Sequence, residues 1–89
     1  MKYQVVYSKR SIKEFKKLDR SIAIFIKSWI DDNLVDCENP RIHGKALKGN
    51  LASFWRYRIG DYRLICGIRD EECVIIAVTV GHRKEIYRP

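Results

Sequence analysis

The sequence predicts an α+β fold, a mostly antiparallel sheet with two helices packed on one face. Three observations predict it. Phe54 to Cys66 alternates apolar and basic residues around Gly60-Asp61, which is the composition of a β-hairpin with a two-residue turn. Ile22, Phe25, Ile26, Trp29 and Ile30 recur at i, i+3, i+4, i+7 and i+8, one face of an amphipathic helix. Cys73 to Val80 is apolar on both faces, as expected of a strand buried in mid-sheet. With 89 residues there is room for one core, so residues 1–89 read as a single domain.

The elements follow in order. Lys2 to Tyr7, rich in Val and Tyr, is a first strand. Ser8 or Ser11 can cap the first helix, and Ser11 with Glu14 matches a capping box. Ile12, Phe15 and Leu18 give that helix a short apolar stripe, and Lys9, Arg10, Lys13, Lys16 and Lys17 give it a basic face. Asp19 breaks the pattern and can cap the second helix, which ends near Leu34. Asn39 to Asn50, punctuated by Pro40, Gly44 and Gly49, is a loop carrying Arg41, His43, Lys45 and Lys48. After the hairpin, Asp70-Glu71-Glu72 is a turn. The expected order is β-α-α-β-β-β with a short C-terminal tail or helix.

The hairpin carries the chemistry. With Gly60-Asp61 as the loop, Ile59 faces Tyr62, Arg58 faces Arg63 and Arg56 faces Ile65. Paired residues share a face, and successive residues alternate. Trp55, Tyr57, Ile59, Tyr62, Leu64 and Cys66 therefore form a core face, while Arg56, Arg58 and Arg63 share the other. Like charges directly opposite on a sheet are destabilising. Such an arrangement fits either a solvated basic face or a surface built to meet an anion.

The formal charge of +7, from 18 Lys and Arg against 11 Asp and Glu, points to a polyanionic partner. No apolar run reaches membrane-spanning length, and the opening residues show no signal-peptide pattern, so no membrane partner is expected. The three cysteines are an odd count without metal-ligand spacing, in keeping with reduced thiols and a cytoplasmic protein. No P-loop, dinucleotide-binding glycine pattern, HExxH motif or nucleophile elbow is present.

Clustered arginines can grip phosphate oxygens and stabilise a phosphorane-like transition state. RNA brings its own nucleophile, the 2′-OH, so cleavage by that route needs no metal or cofactor. It needs a base, cations and an acid. Arginine stays protonated and is a poor base. Of the two histidines, His82 follows the central strand and Gly81. A tight pairing of Arg63 with Val78 or Val80 would bring it to the arginine end. His43, in a loop among lysines, is the weaker candidate. Tyr87 could stack on a base or donate a proton.

Three segments carry a family resemblance: Pro40-Arg41-Ile42-His43-Gly44-Lys45-Ala46-Leu47-Lys48-Gly49, Trp55-Arg56-Tyr57-Arg58-Ile59-Gly60-Asp61-Tyr62-Arg63 and Val80-Gly81-His82-Arg83-Lys84-Glu85-Ile86-Tyr87. The chain resembles the RelE toxins of bacterial type II toxin–antitoxin systems, within the RelE/ParE superfamily. The resemblance implies a metal-independent endoribonuclease. It would act in the ribosomal A site and cut mRNA by 2′-OH attack, leaving a 2′,3′-cyclic phosphate. It also implies an acidic, partly helical RelB-like antitoxin, and a toxin–antitoxin complex on operator DNA. By the same resemblance Arg63 stabilises phosphate charge, Arg83 contacts the phosphate or serves as acid, and Tyr87 stacks on a base. Lys48 matches a basic position that helps hold the message, and Lys45 and Arg41 of the same basic loop are further candidate RNA contacts. The best-known members carry lysines where this chain has Arg56 and Arg58, one of them assigned as base, which raises His82 as the substitute here.

Two other functions share much of this pattern. A ParE-like inhibitor of DNA gyrase would have the same fold and cut nothing, and it would not need His82, Arg83 and Tyr87 to converge. A plain RNA-binding module would need aromatics on the arginine face, and strand parity sends Trp55 and Tyr57 to the other.

Overall fold

The structure is a computed structural model, and it describes residues 1–82. Two helices and five strands follow one another: β1 (Gln4–Tyr7), α1 (Lys9–Lys17), α2 (Arg20–Asn33), β2 (Lys45–Ala46), β3 (Phe54–Ile59), β4 (Tyr62–Arg69) and β5 (Val74–His82). The sheet order is β1-β5-β4-β3-β2. Only β1 and β5 run parallel; the other neighbours are antiparallel. The expected α+β fold is present, and the Cys73–Val80 run lies mid-sheet as read. The segment taken as a loop holds β2, a strand of two residues, too short to show a period. The expected tail or helix at the C-terminus lies outside the described residues.

Of the two candidate caps for α1, Ser8 serves: its side chain accepts from the Ser11 N–H at 3.1 Å. Ser11 is buried inside the helix and donates its hydroxyl to the Ser8 carbonyl at 2.9 Å. The anticipated capping box with Glu14 does not form. Glu14 reaches across to β5, where its carboxylate accepts the Thr79 hydroxyl at 2.8 and 2.9 Å and the Val80 N–H at 2.9 Å. The reason is geometric. Pairing of β1 with β5 ends at Tyr7–Ala77, and a buried strand N–H beyond that point needs another acceptor. Asp19 occupies the N-cap of α2, but its side chain makes no capping hydrogen bond.

The core lies between the helices and one sheet face. Ile26, Ile30 and Leu34 join Phe15 of α1, the hairpin residues Tyr57, Ile59, Leu64 and Cys66, and Ile75, Ala77 and Val80 of β5. Burial pushes the Cys66 thiol up, far from any reactive thiolate. Two members of the predicted stripes stay outside: Ile12 is 44% and Phe25 52% exposed. Phe25 instead rides over the hairpin turn, where a Cβ on Gly60 would come within 3.3 Å of its ring.

A β-bulge corrects one register. Leu64 pairs with Val80 and Ile65 with Thr79, but Cys66 pairs with Ala77, so Val78 is skipped. Arg63 is therefore opposite Gly81, not Val78 or Val80, and His82 is opposite Tyr62. The arginine face is not open throughout: Ile65, paired with Arg56, is 2% exposed and Thr79, paired with Ile65, is 0% exposed.

Candidate functional site

Gly60 has φ of 60° while Asp61 keeps a negative φ, the requirement of a type II′ hairpin turn, in which only the first central residue is left-handed. That turn fixes the register as expected: Ile59–Tyr62, Arg58–Arg63 and Arg56–Ile65. Opposite the other edge of β3, Lys45 of β2 pairs with Arg56. Two like-charged cross-strand pairs, Arg58–Arg63 and Lys45–Arg56, thus lie side by side. Each works against folding.

Arg58 is exposed, whereas Arg56 and Arg63 are half-buried. Among the described residues, the Nε atoms of Arg56 and Arg63 are buried without a hydrogen-bond partner. A buried donor left unpaired is costly. Burial, then the neighbouring charges of Arg63 and Arg58, push the Arg56 guanidinium below its ordinary pKa. The lowered Arg56 pKa and the paired cations mark a face on which positive charge is crowded.

A braced loop holds Lys45 in place. The Tyr57 hydroxyl donates to the Pro40 carbonyl at 2.5 Å and the Trp55 indole to the His43 carbonyl at 2.7 Å. Gly44 has φ of 80°, and a Cβ there would fall 2.2 Å from the Arg56 carbonyl oxygen, so no side chain fits where the loop meets β3. Arg41, read from the sequence as an RNA contact, makes a two-pronged ion pair with Asp70 at 2.8 and 3.0 Å. Asp70 also accepts from the Tyr3 hydroxyl at 2.7 Å. The Arg41 guanidinium, then the Tyr3 hydroxyl, hold the Asp70 carboxyl down at about 2. Lys48 is exposed at the start of a short 3-10 turn.

The structure brings together Arg56, Arg58, Arg63 and Lys45. It does not bring His82 to them. The His82 ring meets the Tyr62 ring edge-on at 5.5 Å, and Tyr62 packs against the core. His82 therefore lies on the helix-bearing side of β5, while Gly81 is opposite Arg63. Arg83 and Tyr87 lie outside the described residues. His43, the weaker histidine candidate from sequence, lies at the β2–β3 edge. With Trp29, Gly44, Lys45, Arg56 and Arg58 it lines a cleft of about 360 Å³. The sequence held only a faint signal of this, a glycine just before a short strand.

Three guanidinium groups and an ammonium group on adjoining strands can hold a phosphodiester and offset charge that develops on it. The family model described as "ParE toxin of type II toxin-antitoxin system, parDE" matches residues 5–87. Toxin RelG of Mycobacterium tuberculosis is 31% identical over 88 residues, 99% of this chain and 99% of the relative. The mRNA interferase toxin RelE of Escherichia coli K12 is 30% identical over 90 residues, 98% of this chain and 92% of the relative. The toxin–antitoxin complex RelBE2 of M. tuberculosis contains a chain that superposes with a TM-score of 0.84 at 27% identity, covering 96% of this chain and 95% of that one. The chain belongs to the RelE/ParE family of toxins of type II toxin–antitoxin systems.

Proposed function

We propose that this toxin is a ribosome-dependent mRNA endoribonuclease that cuts by 2′-OH attack in the A site. The observation that carries the reading is the arginine face. Arg58 stands opposite Arg63, and Lys45 stands opposite Arg56. In the proposed reaction the 2′-OH gives up its proton to a base and its oxygen bonds to the adjacent phosphorus, while the bond to the 5′-oxygen breaks and an acid delivers one proton to that oxygen. The products are a 2′,3′-cyclic phosphate and a 5′-OH. Arg63 stabilises the charge on the phosphorane-like transition state, and Arg56 and Arg58 hold the non-bridging oxygens. No metal or cofactor enters. Arg83, as phosphate contact or acid, and Tyr87, as base-stacking residue, complete the proposed site. Lys45 and Lys48 hold the message. His82 has the least support as base, because its ring lies against Tyr62; positioning the end of β5 suits it better.

The proposed partners are the ribosome and mRNA in the cytoplasm, and an acidic, partly helical RelB-like antitoxin that covers the arginine face or displaces the tail carrying Tyr87. The +7 charge makes association with such an antitoxin fast and salt-sensitive. The antitoxin-bound form is the one proposed to sit on operator DNA.

The description of the matching family model favours a second reading, a ParE-like inhibitor of DNA gyrase. Inducing the toxin without an antitoxin separates the two. New message ends within codons, with gyrase unaffected, support the ribonuclease. Growth arrest with intact messages and gyrase trapped on DNA supports the inhibitor.

A further inference from the structure

We propose that the cleft at the β2–β3 edge is a second RNA subsite, holding a phosphate that flanks the cleaved one on Lys45 and its nucleoside against the His43 ring. The inference rests on the ribonuclease reading and deepens it.

The cleft is a continuation of the arginine face around the edge of the sheet. Arg56 and Arg58 line it and also belong to that face. Its other walls are Trp29 from α2 and His43, Gly44 and Lys45 from the braced loop. Pairing of β2 with β3 stops at Arg56, so the edge strand does not extend past Tyr57, and the cleft opens beside Arg58. None of the six lining residues is acidic, so an anion meets only cations and rings there.

The rings are held in place, which suits recognition more than a solvated loop would. The His43 and Trp29 rings meet edge-on at 5.7 Å, and Trp29 meets the buried Tyr57 ring at 5.7 Å. The His43 carbonyl is pinned by the Trp55 indole, and Gly44 admits no side chain between the loop and β3. An aromatic ring on a fixed backbone beside two cations has the parts that bind single-stranded RNA: a stacking surface and phosphate donors. A volume of about 360 Å³ falls within the range of small-ligand pockets, roughly 300–1,000 Å³.

The test is a charge cycle between one phosphate and one side chain, read on programmed ribosomes. Messages carry a neutral methylphosphonate at the phosphate on the 5′ or the 3′ side of the cleaved bond. Parent, Lys45→Gln and His43→Ala proteins are compared for half-saturating toxin concentration and maximal single-turnover rate. Lys45 and His43 are exposed, and thermal melts check that the variants fold. One of the two neutral positions should raise the parent's half-saturating concentration about tenfold, the range for losing a charge-assisted hydrogen bond. The same substitution should scarcely affect Lys45→Gln, which starts from the weakened value. His43→Ala should weaken saturation while the maximal rate stays near the parent's. If each neutral position affects parent and Lys45→Gln equally, or His43→Ala saturates like the parent, the subsite is wrong and the ribonuclease reading stands. If the parent cuts no message on ribosomes, that reading falls, and the subsite with it.

Discussion

Arg58 stands directly opposite Arg63 across the β3–β4 hairpin. Two cations in that position oppose folding and favour an anion. Arg63→Ala should therefore keep the fold and lose the reaction. Removing one preorganised charge-stabilising donor costs about 10²–10³ in rate. Single-turnover cleavage with a parallel thermal melt checks it. Normal cleavage would remove Arg63 from the site.

Arg58→Thr relieves the same repulsion at an exposed position. It should stabilise the protein by a few tenths of a kcal/mol, up to about 0.5. The gain should shrink as salt rises. Urea melts at low and high ionic strength measure both. A destabilised variant would mean that the pair is not repulsive.

Glu14→Ala should destabilise the fold by about 1–3 kcal/mol, because it leaves a buried N–H and hydroxyl without their acceptor. Those donors are Val80 and Thr79. Glu14→Gln should cost less, since its amide oxygen can still accept the Val80 N–H. Equal stability of Glu14→Ala and the parent would contradict the proposed link between α1 and β5.

The Arg41–Asp70 pair gives a pH signature. The Asp70 pKa is lowered on folding, from 3.8 to about 2. Its contribution is therefore present above 3.8 and is lost as pH falls towards 2. In thermal melts, the stability difference between parent and Asp70→Asn should be constant above about pH 5 and should vanish progressively below it. A difference that persists unchanged at the acid end would show that the ion pair does not anchor the loop.

His82→Gln tests the proton chemistry. Its ring faces Tyr62, not Arg63, so the pH–rate profile on programmed ribosomes should keep the parent's shape. Loss of a titrating step in the variant would return His82 to the role of base.

The hairpin was fully legible in sequence, because Gly60-Asp61 fixes a turn and the turn fixes every pairing on both sides of it. The α2 stripe was legible for the same local reason, except for Phe25, whose position depends on the distant Gly60 turn. The skipped Val78 was not legible. A bulge in an apolar run leaves no trace in composition, yet it decides that His82 and Arg63 lie on opposite faces. Nor could local pattern reveal the partner of Glu14, which lies 65 and 66 residues away. The place of His43 at the cleft was hidden too, because a two-residue strand and three side-chain braces set it.

The most direct test is reconstituted cleavage of one defined message, with and without ribosomes, using the parent and Arg63→Ala proteins. The account predicts cuts only in ribosome-bound message, within the A-site codon, with a 2′,3′-cyclic phosphate on the upstream fragment and loss of nearly all product for Arg63→Ala. Intact message on ribosomes at saturating parent protein, or full cleavage by Arg63→Ala, would contradict it.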